Sequence, residues 1–366
     1  MKILFVGALG EGQTSRMRME TLLELGHTVI PLNSQSGWDQ ASRISRRLQQ
    51  QFAAGPIVQK INSDLLKLAI ENKPDLLWAE KQEYLYPKTL KELIRMGIKL
   101  LHFTPDPYFS VSWKRTRLMN ACVPLFDYML TSKRYELSEY RRICKNVIYM
   151  PLGFAEAVHR PLFPEDRKLK EKYRSDVAFI GGWEPRREDM LESVARESDC
   201  NLKIWGYGWD ALIDGRWTLR RHMAMKRLAG DTPFKVKKNE ILTKAIQGGE
   251  IYADAYAWAV SGARINIGFL RNTWPDQHTT RTFEIPACGS MLLADRTDEH
   301  VAFFTEGKEA EFFSNKEELI EKVKFYLRNE EVRKKIALNG YQKCRVAGYS
   351  YKYRLKAVLD RIGLRS

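Results

Sequence analysis

Short apolar runs rich in β-branched and aromatic residues alternate with amphipathic stretches along the chain. In the first part the runs are Lys2–Ala8, Thr28–Leu32, Asp75–Ala79, Lys99–Thr104, Tyr128–Ser132 and Val147–Gly153. Their near-continuous hydrophobicity predicts strands covered on both faces, as in a parallel sheet. Between them Ser15–Leu25 reads as a helix, with Met19, Leu22 and Leu23 on one face and Gly26 as a left-handed stop. The alternation pauses over Ala155–Asp176, where Pro161, Pro164 and many charges predict a linker. It restarts with strands at Asp176–Gly182, Leu202–Gly206, Ala263–Phe269, Met291–Asp295 and Glu311–Phe313. From Asn315 onward the pattern is helical, with Leu319, Val323 and Leu327 in register and a last amphipathic segment over Tyr349–Leu364.

Two doubly wound α/β domains follow, over 1–155 and 176–346, with a linker at 156–175 and a helical segment at 347–366. The length of 366 residues suits two domains. Hydrophobic residues at 44% supply ample core, and the net charge of +15 points to an acidic partner without choosing among phosphates, nucleic acid and an anionic membrane surface. The five cysteines are scattered and form no C-x-x-C pair, which argues against a disulfide framework or a zinc cluster and fits a reducing cytoplasm. The apolar stretch at Met1–Gly7 is too short for the core of a signal peptide, and no run approaches the ~18 residues of a membrane span.

Candidate chemistry sits in the loops after the strands. Gly10-x-Gly12-x-x-Ser15, after the first strand, is a glycine-rich turn able to present backbone N–H groups to a phosphate. Ser in the third glycine position and the missing carboxylate after Leu32-Asn33 speak against a nicotinamide cofactor, and no cofactor is expected. The richest segment is Trp274–Gly289. Thr279, Thr280 and Arg281 lie at a helix start, where amides and charge favour a diphosphate, while Pro286 forces that helix to kink or to begin late. Glu284 can then accept both hydroxyls of a ribose diol.

Asp276 precedes Glu284 by eight positions, and the run Arg281-Thr282-Phe283-Glu284-Ile285-Pro286-Ala287-Cys288-Gly289 follows. The pair resembles the E-x7-E motif of retaining GT-B glycosyltransferases, with Asp in place of the first Glu. The run resembles the R-x-F-E-x-x-A-x-G segment of the spore-maturation/spore-coat type, group 1-like glycosyltransferase family. Val177–Trp183, Ile204–Trp209 and Glu317-Glu318-Leu319 look like that family's other second-domain landmarks. Thr104–Pro107 and Phe126-Asp127-Tyr128 are the matches before the linker. The resemblance implies a GT-B fold of two Rossmann-like domains facing a cleft. It also implies a nucleotide diphosphate sugar donor held by the second domain, an acceptor on the first, Asp276 against the transferred sugar, and retention of anomeric configuration.

Other positions complete the candidate set. Arg186 and Arg187 follow the strand ending at Gly181-Gly182 and can reach a diphosphate. Tyr207 can meet a nucleobase or pack. His102 and Asp106 stand at the strand Lys99–Thr104, where either can serve as base or acceptor contact. No D-x-D occurs and the histidines are dispersed, so no metal site is expected. Arg43, Arg46 and Arg47, beside Ile44, Leu48 and Phe52 in an acid-free stretch, suit an anionic acceptor or a lipid surface, or a plain solvated helix. The basic tract Asp214–Lys244 suits an acidic chain or a solvated insertion. Two other functions compete: a nucleotide-sugar epimerase or hydrolase on the same scaffold, and a noncatalytic nucleic-acid-binding protein, which the spread of basic residues and the missing motifs disfavour.

Overall fold

The computed structural model describes residues 1–111, 115–214, 239–271 and 273–363. Most of the basic tract Asp214–Lys244, namely residues 215–238, lies outside the described residues. The chain divides into two units, Met1–Ala155 with Tyr351–Ser366, and Glu156–Ser350.

In the first unit the apolar runs form strands β1 (Lys2–Gly7), β2 (Thr28–Asn33), β3 (Leu76–Glu80), β4 (Lys99–Thr104), β5 (Tyr128–Thr131) and β6 (Val147–Tyr149). They make one six-stranded sheet in the order β2-β1-β3-β4-β5-β6, every pairing parallel. Leu4, Val6, Leu77, Ala79 and Leu100 carry its core on one side, against Val58, Leu65 and Leu90 of the covering helices. The helix Thr14–Glu24 does not bury the face expected of it. Its inward residues are Ser15, Arg18, Thr21 and Leu22, while Leu23 is exposed. The reason is Arg18, whose guanidinium is drawn inside by Glu80.

The second unit repeats the plan with β7 (Ser175–Ile180), β8 (Leu202–Trp205), β9 (Ile246–Gly248), β10 (Ala263–Gly268), β11 (Met291–Asp295) and β12 (Glu311–Phe313). Their order is β12-β11-β10-β7-β8-β9, again parallel throughout. Strand order reverses between β7 and β10 here, and between β1 and β3 in the first unit. These are the switch points where open α/β sheets leave a crevice at their carboxyl ends. The segment expected as a linker carries the helix Arg167–Tyr173, capped by Asp166, and groups with the second unit. The last helix, Tyr351–Arg361, groups with the first.

Both units are therefore Rossmann-like, the α/β architecture expected of a GT-B protein. Among the described residues no helix is long and apolar enough to cross a membrane.

Candidate active site

At the second switch point the start of the helix Arg281–Ala287 meets the end of β7 through Arg281 and the end of β11 through Thr282 and His300. Pro286 sits inside that helix, which ends at once, and Gly289 then turns with φ +75° where a Cβ would stand 3.2 Å from Pro161. Glu284 is buried rather than open. Its carboxylate accepts from the Tyr256 hydroxyl at 2.9 Å and from Arg281, and it lies 3.4 Å from His159 Nε2. Arg281 also donates from Nε to the Ile180 carbonyl at the end of β7 (3.1 Å) and lies over the Tyr256 ring. One guanidinium thus ties the end of β7 to the carboxylate and an aromatic face. Burial works against the charge of Glu284, but Arg281, His159 and Tyr256 outweigh it and hold its pKa below the ordinary carboxylate range.

The neighbouring residues are less open than their sequence positions suggest. The Thr279 amide donates to Thr282 Oγ1 (3.1 Å), and the Phe283 and Glu284 amides both donate to the Thr280 carbonyl (3.0 Å). A seven-residue helix start with these amides engaged offers an anion less than expected, and Arg281, though tied to Glu284 and the Ile180 carbonyl, keeps a third of its side chain exposed beside the threonines. Thr282 Oγ1 lies 2.8 Å from His300 Nε2, His300 Nδ1 meets the Asp295 carbonyl (2.6 Å), and burial lowers the pKa of the ring to about 4. Asp276 accepts from Trp274 Nε1 at 2.8 Å and is partly exposed.

Arg186 is spent on Asp295 in a bidentate pair (3.0 and 2.5 Å), and its guanidinium lies over Phe269. Arg187 is buried, donates to the Gly182 carbonyl (2.8 Å) and faces Glu184 at 3.4 Å. Both arginines expected at a diphosphate are therefore bound within the protein. Tyr207 is exposed in the turn after β8, where Gly206 takes φ +145° and a Cβ would fall 2.1 Å from the Gly181 oxygen, so only glycine fits. Arg271, three residues beyond the end of β10, is not singled out by the sequence. Its side chain is half exposed, over Trp274 and 3.6 Å from Glu184. His159 and Tyr256 were missed too, the one in a presumed linker and the other in an alanine-rich helix. Only the position of Arg271 near a strand's carboxyl end gave a signal.

In the first unit a cavity of about 320 Å³ opens at the carboxyl ends of β1 and β3. Its lining includes Gln13, Thr14, Trp38, Gln82, Tyr84 and Asp106. Gly10 borders an adjoining hollow, and Gly12 turns with φ +72°. The loop closes on itself, since the Leu9 amide donates to Asn33 Oδ1 (3.2 Å) and the Gln13 amide to the Gly10 carbonyl (3.3 Å). Asp106 is partly exposed and pairs with Lys81 at 3.2 Å. His102 lies in the core. Its Nε2 accepts the Gln82 amide (3.1 Å), and burial lowers its pKa to about 4. The two strand-end candidates of this unit thus differ sharply in access.

Residues 186–360 match the family model described as glycosyl transferase-like. The match spans just under half of the chain, most of it in the second unit, and makes that part of the chain similar to glycosyltransferases. The structure is similar, at 12% identity and TM-score 0.64, to HepE from Anabaena solved with UDP-glucose, over 99% of both chains. Sucrose-phosphate synthase from Thermosynechococcus elongatus aligns over 100% of this chain and 99% of its own, at 13% identity and TM-score 0.64. A putative UDP-N-acetylglucosamine 2-epimerase from Listeria monocytogenes aligns over 100% and 97%, at 12% identity and TM-score 0.55. No curated relative matches the sequence with significance.

Proposed function

We propose that this chain is a glycosyltransferase that takes a sugar from a nucleotide diphosphate donor bound by the second unit and passes it to an acceptor on the first. The observation that carries the reading is the Arg281–Glu284 pair at the carboxyl end of β7, within the region that matches the family model. Glu284 receives the ribose diol, its ionised state kept by Arg281 and Tyr256. Arg281 and Arg271, with the hydroxyls of Thr279 and Thr280, hold the diphosphate, so that fixed cations stabilise the departing charge without a divalent ion. Asp276 meets the transferred sugar, and its spacing from Glu284 supports retention. In the first unit the cavity beside Asp106 takes the acceptor, its amides and hydroxyls suited to a polar molecule, with Asp106 at the reacting hydroxyl.

UDP is the first nucleotide to test, since HepE was solved with UDP-glucose. Calorimetric titration should show binding to the wild type and a loss of about 1–3 kcal/mol in Glu284→Gln, the worth of a hydrogen bond to a charged group. Equal affinity in the two proteins would remove Glu284 from the site. The epimerase reading, favoured by the likeness to the Listeria structure, separates by product: an epimerised donor formed with no acceptor present would establish it.

A further inference from the structure

The helix Arg43–Phe52 is built the wrong way round for a helix that only packs. Ser42 caps it, accepting the Ser45 amide at 3.2 Å, and its one buried residue is polar. Gln49 accepts the Ile57 amide (2.9 Å) and donates to Ser45 Oγ (3.0 Å), so hydrogen bonds rather than apolar contacts secure this face. The apolar stripe points the other way. Ile44, Leu48 and Phe52, at i, i+4 and i+8, are 74%, 48% and 68% exposed. An amphipathic helix on a globular surface normally buries such a stripe.

Charge singles out the same helix. Exposed helices elsewhere carry paired charges at i, i+4, such as Arg16–Glu20, Lys60–Asp64 and Lys356–Asp360. Arg43 and Arg47 are exposed, and no ion pair joins them or Arg46 to a carboxylate among the described residues. Asp39 and Asp64 are the flanking acids in the sequence. An outward apolar stripe bordered by unpaired arginines is the arrangement of helices that lie in a lipid interface.

We propose that the helix Arg43–Phe52 docks the protein on an anionic bilayer surface, with Ile44, Leu48 and Phe52 among the acyl chains and Arg43 and Arg47 at the lipid phosphates. A second copy of the chain is a poorer occupant. A symmetric contact would set arginines against arginines, and a ten-residue helix presents far less than the roughly 20–30 residues a side of a stable interface. The inference is independent of the donor site, and its test requires no turnover.

The test is sedimentation with vesicles of equal parts phosphatidylglycerol and phosphatidylcholine, against phosphatidylcholine alone. Wild type should sediment with the anionic vesicles and be released as salt rises. Ile44→Ser/Leu48→Ser/Phe52→Ser should weaken binding about tenfold or more, and each of Arg43→Gln and Arg47→Gln about fivefold. If the serine variant proves unfolded by circular dichroism, Arg43→Glu/Arg47→Glu carries the test and should abolish binding. Wild type left in the supernatant, or folded variants that bind as well as wild type, would overturn the proposal. So would a wild-type dimer in analytical ultracentrifugation that the serine variant loses, since the stripe would then belong to a second copy.

Discussion

His159 stands 3.4 Å from the Glu284 carboxylate, with both side chains almost fully removed from water. Glu284 titrates below its ordinary range in the folded chain, despite burial, because of Arg281, His159 and Tyr256. A depressed carboxylate contributes stability above its unfolded pKa of about 4.3 and loses it as pH falls through the folded value. His159→Gln should therefore move the acid loss of stability to higher pH, by about one unit at most. Circular dichroism across an acid titration measures it, and an unchanged midpoint would show that His159 does not support the carboxylate.

Two neutral histidines set a second pH dependence. His102 and His300 are both lowered to about 4 by burial. Between that value and about 6.5 the unfolded chain binds protons that the folded chain does not, so stability should fall with falling pH by up to about 1.4 kcal/mol per unit for each ring. His102→Gln keeps an acceptor for the Gln82 amide and should flatten this slope for the first unit. Denaturant unfolding at a series of pH values would show it, and the same slope in the variant would discount His102.

Arg18 and Glu80 form a bidentate pair of 2.6 and 2.7 Å at almost no exposure, with the guanidinium between Phe103 and Tyr351. Arg18→Met or Glu80→Gln alone strands a buried partner and should cost about 3–5 kcal/mol, whereas Arg18→Met/Glu80→Leu should recover most of it. Urea unfolding of the three proteins tests this. Additive losses in the double variant would argue that the two residues act separately.

Turnover should survive excess chelator, because Arg281 and Arg271 can offset diphosphate charge where a D-x-D site would place a divalent ion, and the sequence has no D-x-D. Activity that disappears with EDTA and returns with magnesium or manganese would reverse this assignment.

The sheets are the most legible part of the chain. Lys99–Thr104, Met291–Asp295 and Glu311–Phe313 coincide with β4, β11 and β12 residue for residue, because strands covered on both faces carry short, mainly apolar runs that stand out from their polar flanks. β9 escaped notice, being three residues long with Gln247 and Gly248 exposed at its end. Side-chain direction was harder to read than element type. A charged Arg18 facing inward depends on Glu80, far along the chain, and no local periodicity encodes that. In the second unit Arg281 and Glu284 announce themselves through local pattern and do meet, whereas Arg186 and Arg187 look free in the sequence and are bound by Asp295, Glu184 and a backbone carbonyl.

The helix Tyr351–Arg361 returns to the first unit after the chain has built the whole of the second. The Tyr351 amide donates to the Phe154 carbonyl (2.8 Å), Tyr128 donates to the Ile362 carbonyl (3.4 Å), and Leu355, Val358 and Leu359 are buried. During synthesis, then, the first 155 residues emerge from the ribosome long before the helix that covers them. Arg18 waits through the translation of the intervening unit for its second aromatic wall. Clipping the last helix would injure the half of the molecule that was made first.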